Sequence, residues 1–130
     1  MNYNALADKI NALGLIDKLA VTNELSREGI LVNSMVAILS FGGQYNLAYI
    51  RNLSFKATPD YKNAKSDRDY MNVIADYCEL AFREATKFNG TKHESAELKN
   101  WRYTSAVNCI ARIAGKMGVD LDAEIERFIA

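Results

Sequence analysis

The stretch from Thr91 to Gly118 constrains the fold of this chain most strongly, because it carries the signals of one long helix from start to end. Thr91 and Glu94 have the spacing of a capping box, in which each side chain bonds the other residue's backbone N–H at a helix start. Gly118 stands just beyond the last turn, where glycine commonly ends a helix, and Val119 follows where it can fold back on that turn. The pattern therefore predicts a helix that ends at Gly118.

The apolar residues of this helix fill about half of its circumference at about 100° per residue. They are Leu98, Tyr103, Ala106, Val107, Cys109, Ile110, Ile113, Ala114 and Met117. Arg102 falls inside this apolar sector, whereas Trp101 falls on the opposite face. Beside Trp101 lie Ser105, Asn108 and Arg112. The helix can therefore be packed on two sides, either as a central helix or at the interface of a symmetric dimer.

A second long helix is predicted from Ser66 to about Phe88. Ser66 forms another capping-box signature with Asp69, and Asn89-Gly90 provides the stop. Because the connection between the two helices is short, we expect them to pack as an antiparallel hairpin over residues 67–117.

Positions counted outward from the turn of this hairpin place Glu84 and Arg102 ~9 Å apart along its axis. Glu84 lies in the apolar half of its helix, and it and Arg102 lean towards each other because side chains tilt towards their own helix N-terminus. We therefore predict a partly buried ion pair between Glu84 and Arg102. Cys78 and Cys109 lie about 10 Å apart along the axis, so both are expected to be reduced thiols.

The segment 24–43 becomes almost wholly apolar in its second half. Its length favours a buried helix, with Thr22 or Asn23 as the cap and Gly42-Gly43 as the stop. A strand over 30–41 is the alternative, because Ile, Val and Phe are frequent there.

The segment 44–56 fits two patterns. Its aromatic and aliphatic residues alternate with polar ones as in a strand, while Leu47, Ile50 and Leu53 also fit one side of a helix. We expect a helix, because nothing else in the chain clearly supplies a partner strand. The alternative is an α+β fold with a small hairpin within 30–56.

Short helices are expected at both ends of the chain. Asn2 or Asn4 caps the first, which Gly14 ends, and Asp120 caps the last, over 121–129. A length of 130 residues fits one domain. The predicted fold is mainly α, a single-domain helical bundle of residues 1–130 around the long antiparallel hairpin.

The balance of positive and negative charges limits the classes of partner that the chain can bind. Sixteen basic and sixteen acidic residues leave no net charge at pH 7, and the two signs are interleaved throughout. Non-specific nucleic-acid binding needs a concentrated basic field, so the composition argues against a nucleic-acid partner.

No targeting or membrane-spanning segment is visible in the sequence. Asp8 and Asp17 interrupt the first nineteen residues, which lack a basic start followed by an apolar run. The longest apolar stretch, 30–41, contains Asn33 and is too short to cross a bilayer. We therefore expect a cytoplasmic protein with no membrane contact.

Catalysis has little support in the sequence. The single histidine, His93, falls in the first turn of a helix, and no nucleophile motif accompanies it. Asp69, Asp76 and Glu79 form an acidic stripe, but Arg83 follows Glu79 at helical spacing, which indicates a solvated, self-paired face. No glycine-rich phosphate loop is present, and no cofactor or metal is predicted.

Binding has more support, because seven tyrosines and a tryptophan are available in a short chain. Tyr, Trp and Arg are the residue types that anchor protein interfaces. One candidate contact group is Trp101, Ser105, Asn108 and Arg112, and a second is Tyr45, Tyr49 and Arg51.

These observations favour a small non-catalytic cytoplasmic protein that recognises another protein, as a homodimer. We expect a bacterial or phage accessory protein with an inhibitory or regulatory role, because such proteins are often short chains without catalytic motifs. Two alternatives stay open. A nucleotide or other phosphate-ligand binding protein would use Arg51, Lys56, Lys62, Arg68 or Arg102 around the phosphate. A metal-dependent enzyme would use the acidic stripe.

Overall fold

The computed structural model describes residues 1–19, 26–51, 62–87 and 93–130, and these ranges are mainly helical. Six helices lie in them: α1 (Tyr3–Ala12), α2 (Leu15–Leu19), α3 (Arg27–Gln44), α4 (Asp67–Thr86), α5 (His93–Lys116) and α6 (Leu121–Ile129). The described ranges contain no strand. The mainly α prediction is confirmed, and the strand and hairpin alternatives are wrong for the described part of 30–56.

The cap signatures in the sequence fix several helix ends. At the start of α4 the Ser66 hydroxyl accepts a hydrogen bond from the Asp69 N–H at 3.1 Å, and the Asp69 carboxylate accepts one from the Ser66 N–H at 3.2 Å. At the end of α5 Gly118 has a φ of 72°, and the Val119 N–H donates to the Ala114 carbonyl at 2.9 Å. Both ends are the predicted ones.

The terminal helices also begin at predicted caps. The Asn2 side chain accepts from the Ala5 N–H, and the Asp120 side chain accepts from the Ala123 N–H. The capping residue Thr91 and the turn at Asn89-Gly90 lie outside the described residues.

Helix α3 differs at both ends from the sequence prediction. It begins after Ser26, whose hydroxyl accepts from the Gly29 N–H, and it continues through Gly42-Gly43 to Gln44. Asn46, two residues beyond Gln44, terminates the helix: it has a φ of 56°, and the Leu47 N–H donates to the Gly42 carbonyl at 2.8 Å. Asn46 thus occupies the left-handed position in which glycine or asparagine ends a helix.

Gly42 and Gly43 serve packing rather than helix termination. A Cβ at Gly42 would overlap the phenol ring of Tyr103 on α5, and a Cβ at Gly43 would overlap the side-chain amide of Asn11 on α1. The two glycines therefore let α3 lie unusually close to both neighbouring helices.

Helix α3 packs against all five other described helices and is the centre of the bundle. Helix α5 has its most extensive interface with α4, as expected for the antiparallel hairpin, and it also packs against α3 and α6. Its buried residues join those of α3 in one apolar core that also takes in Ile10 and Ile125. Cys78 and Cys109 are free thiols, as predicted. No helix in the described ranges combines the length and apolarity needed to cross a bilayer.

Candidate interaction site

The segment 45–51 leaves the end of α3 and crosses the surface of α5. It is not helical beyond its first turn, so the predicted helix over 44–56 is wrong for its described part. The Ala48 N–H donates to the Asn100 side-chain oxygen and the Ile50 N–H donates to the Thr104 hydroxyl, both at 2.9 Å. These two side chains accept hydrogen bonds from backbone N–H groups that would bond to backbone carbonyls if the segment were helical. We call residues 45–51 the crossing segment.

Tyr49 holds the middle of the crossing segment in place. Its hydroxyl donates to the Asn108 side-chain oxygen at 2.6 Å. Its N–H donates to the Asn4 side-chain oxygen at 2.9 Å, and the Asn4 amide donates back to its carbonyl at 3.2 Å. Its ring meets the Tyr3 ring edge-on, with centroids 4.9 Å apart. The segment is thereby fixed to α1 as well as to α5.

Next to the crossing segment, α5 exposes a second group of residues, which we call the outer stripe. It consists of Glu97, Trp101, Ser105, Asn108 and Arg112, which span about 80° of the helix circumference. Trp101 has 54% of its surface exposed. Glu97 and Arg112 are exposed, whereas Ser105 and Asn108 are half-buried. The indole thus lies on the surface rather than under another part of the described chain.

The structure brings the two predicted contact groups together in part. Tyr49 and Asn108 join them through their hydrogen bond. Ile50, which is 36% exposed, is bonded to the turn of α5 that follows Trp101. Arg51 is exposed at the end of the crossing segment. Outer stripe and crossing segment therefore form one continuous surface, the interaction face.

Tyr45 lies away from the hydrogen bond between Tyr49 and Asn108 that joins the two predicted contact groups. Its ring packs on Phe41 with centroids 4.5 Å apart, and Phe41 in turn meets Phe82 of α4 edge-on at 4.3 Å. Tyr45 and Phe82 remain 46% and 38% exposed. Tyr45 therefore belongs to an aromatic cluster where the ends of α3 and α4 meet.

The predicted ion pair between Glu84 and Arg102 is not formed. Glu84 is half-buried, but Arg102 is exposed. The ion pairs within the described ranges are Arg27–Asp67, Arg83–Glu79 and Arg127–Glu124. The exposed Arg102 guanidinium stays hydrated, whereas burial in an ion pair would remove its water. The Glu84→Ala substitution therefore has no ion pair to break.

Two residues of the acidic stripe of α4 make local structural interactions. Asp69 closes the capping box, and hydrogen bonds from the Lys65 and Ser66 N–H groups lower the pKa of its carboxyl below the ordinary 3.8. Glu79 pairs with Arg83 one turn later. Asp76 is exposed. Among the described residues no three His, Cys, Asp or Glu side chains are grouped as metal ligands.

The basic residues considered for a phosphate ligand are placed on separate elements. Arg51 ends the crossing segment, Lys62 and Arg68 lie before and within the first turn of α4, and Arg102 lies on α5. All four are exposed. Lys56 lies outside the described residues, and His93 is the first residue of α5.

Sequence reasoning missed Asn100 and Thr104 as anchors of the crossing segment on α5, and it assigned Asn108 to a partner contact instead. Asn100 lies at the edge of the apolar sector, and Thr104 and Asn108 follow at four-residue spacing, each about 40° further from that edge. Thr104 is fully buried. A polar row at the edge of a buried face was the available signal, because such groups need hydrogen-bond partners when they are covered.

The interaction face is a candidate site because of its residues and their exposure. Compared with protein-family models, curated proteins and solved structures, the chain matches none.

Proposed function

We propose that this chain is a non-catalytic binding protein that recognises a protein partner through the interaction face. The observation that carries the proposal is the 54% exposure of Trp101 on a regular helix. Burying an indole in a partner removes a large apolar area from water, and Trp and Arg dominate the binding energy of measured interfaces. Trp101 would be the anchor of such a contact, with Arg112 on the same stripe.

The rigidity of the face also supports the proposal. The outer stripe lies on α5, which packs against three other helices, and hydrogen bonds to Asn100, Thr104 and Asn108 hold the crossing segment. A surface that is already ordered loses little conformational entropy on binding. The carboxylates that a metal-dependent enzyme would use are, in the case of Asp69 and Glu79, engaged within α4. A protein acting by contact alone fits an inhibitory or regulatory role.

Site-specific photo-crosslinking in the native cell tests this proposal. A photoreactive residue at Trp101 should give a discrete protein adduct on irradiation. The same residue at Asp76, which is exposed on α4, serves as the control and should give only background. Arg112→Ala should reduce the adduct formed from position 101 while leaving the fold intact by circular dichroism. Equal labelling from both positions, or no adduct from position 101, would contradict the proposal.

A further inference from the structure

The outer stripe carries charges of opposite sign at its two ends. Glu97 lies near the start of α5 and Arg112 near its end, and both are exposed. Fifteen residues of helix separate them by about 22 Å, so they cannot pair with each other within one chain. The chain has no net charge at pH 7, so two copies approach each other without net repulsion.

The stripe is complementary to itself when a second copy is turned end to end. A two-fold axis perpendicular to α5, passing between Thr104 and Ser105, places Glu97 opposite Arg112 of the second copy. The symmetry repeats the same pair at the other end, because an isologous contact makes each interaction twice. The parallel arrangement would instead place Glu97 against Glu97 and Arg112 against Arg112. The charges therefore select the antiparallel pairing.

The centre of the stripe suits close approach of two helices. Ser105, next to the axis, is small and half-buried, and helix axes approach more closely where the contacting side chains are small. Trp101 would lie about 5 Å from the axis, opposite Asn108 of the second copy. Each indole would then cover the partner helix instead of facing water, and Ile50, 36% exposed, would lie at the edge of the contact.

From this self-complementarity we infer that the protein bound at the outer stripe is a second copy of the same chain, packed antiparallel through α5. The inference rests on the proposed function, because it names the partner that the interaction face recognises. Two Trp101 side chains supply most of the apolar area, so the interface is small. Interfaces of that size are reversible, and we expect a dissociation constant of roughly micromolar order.

Sedimentation equilibrium on the purified chain measures this dissociation constant. Trp101→Ala should weaken self-association at least ~10-fold, as for an interface anchor. Glu97→Arg and Arg112→Glu should each weaken it ~10-fold, because each replaces two attractive pairs by two repulsive ones. Glu126→Arg, at an exposed residue of α6, is the matched control and should leave the constant unchanged.

Mixing the two charge-reversed chains gives the decisive measurement. The Glu97→Arg chain has two basic groups at these positions and the Arg112→Glu chain has two acidic ones. Antiparallel pairing therefore opposes unlike charges at both ends of a mixed dimer. The mixture should dimerise about as tightly as the original chain, although neither variant does so alone. This outcome depends on both chains being folded, which circular dichroism checks beforehand.

Three results would overturn the inference: a monomer at all concentrations, a dimer indifferent to the charge reversals, or a mixture that stays monomeric. None of them overturns the proposed function, which the crosslink from position 101 tests separately. An adduct to a different protein with a monomeric purified chain would leave the function standing and remove the second copy as the partner.

Discussion

At the scale of single residues, Gly42 decides how closely α3 and α5 approach. The Tyr103 phenol lies against its backbone and is fully buried. Protein interiors are packed to crystal-like density, so a methyl group added at such a point has no space to enter without shifting a helix.

Gly42→Ala should therefore destabilise the fold by about 1–3 kcal/mol through overpacking against Tyr103. Gly115→Ala is the matched control, because a Cβ there meets no atom within 4 Å. That change should stabilise α5 by about 0.5–1 kcal/mol, since alanine has the higher helix propensity. Urea titration measures both differences, and equal effects of the two substitutions would show that the contact with Tyr103 is unimportant.

Two tyrosine hydroxyls differ in a way that mutation can detect. The Tyr49 hydroxyl donates to Asn108 at 2.6 Å, whereas the Tyr103 hydroxyl is buried without a hydrogen-bond partner in the described structure. Burial, with a smaller contribution from Asp8, raises the pKa of Tyr103.

Tyr49→Phe should cost about 1 kcal/mol of unfolding free energy, because it removes a satisfied hydrogen bond and leaves Asn108 with one partner fewer. Tyr103→Phe should cost nothing or stabilise the chain slightly, because it removes a buried hydroxyl that has no partner. Thermal unfolding of the two variants side by side gives the comparison. A larger loss for Tyr103→Phe than for Tyr49→Phe would mean that the Tyr103 hydroxyl has a partner in solution.

At the scale of elements, the crossing segment has a non-helical path because α5 offers it hydrogen-bond acceptors. Asn100 and Thr104 accept from two of its backbone N–H groups. A helix over the same residues would have satisfied those groups internally. The packed row of polar side chains outweighed the weak helical pattern of Leu47 and Ile50.

Thr104→Val should destabilise the protein by about 1–3 kcal/mol, because it leaves the Ile50 N–H without its acceptor while keeping the side-chain shape. Hydrogen exchange of the Ile50 amide should accelerate at the same time. Thr86→Val is the control, since the Thr86 hydroxyl is exposed and bonds only within α4. Its effect should stay within about 0.5 kcal/mol. Unchanged exchange at Ile50 would contradict the assigned anchor.

At the scale of the whole molecule, the core holds two thiols that burial keeps neutral. Burial raises the pKa of Cys78 from 9.0 to about 11. It raises the pKa of Cys109 to about 12, with a smaller contribution from Cys78. Thiolates are the reactive form, so both groups are expected to be inert in the folded chain near neutral pH.

Stability should therefore decline as the pH rises from 9.0 towards 11. In that window the unfolded chain releases its thiol protons while the folded chain retains them, so alkali favours unfolding. Urea titrations across this range measure the decline, and Cys78→Ala together with Cys109→Ala should reduce it. Ellman's reagent should react with both thiols in urea and slowly with the folded chain. Fast reaction without denaturant would show that the core is more open than the structure indicates.

The sequence alone determined most helix ends and the buried faces of the hairpin. Ser66 with Asp69, Gly118 and Asp120 act on backbone groups within four residues, so their effect can be read locally. Hydrophobic periodicity likewise placed Trp101 on the outer side of α5, where the structure has it exposed.

Only the tertiary structure decided the role of Gly42, the path of the crossing segment and the exposure of Arg102. The first two depend on residues far away in the chain: Gly42 on Tyr103, and Ile50 on Thr104. Helical spacing shows which residues share a face, but it does not show which distant group meets that face or at what distance. The free energy of those contacts comes from burial and hydrogen bonding between elements, and it exists only once the elements have packed.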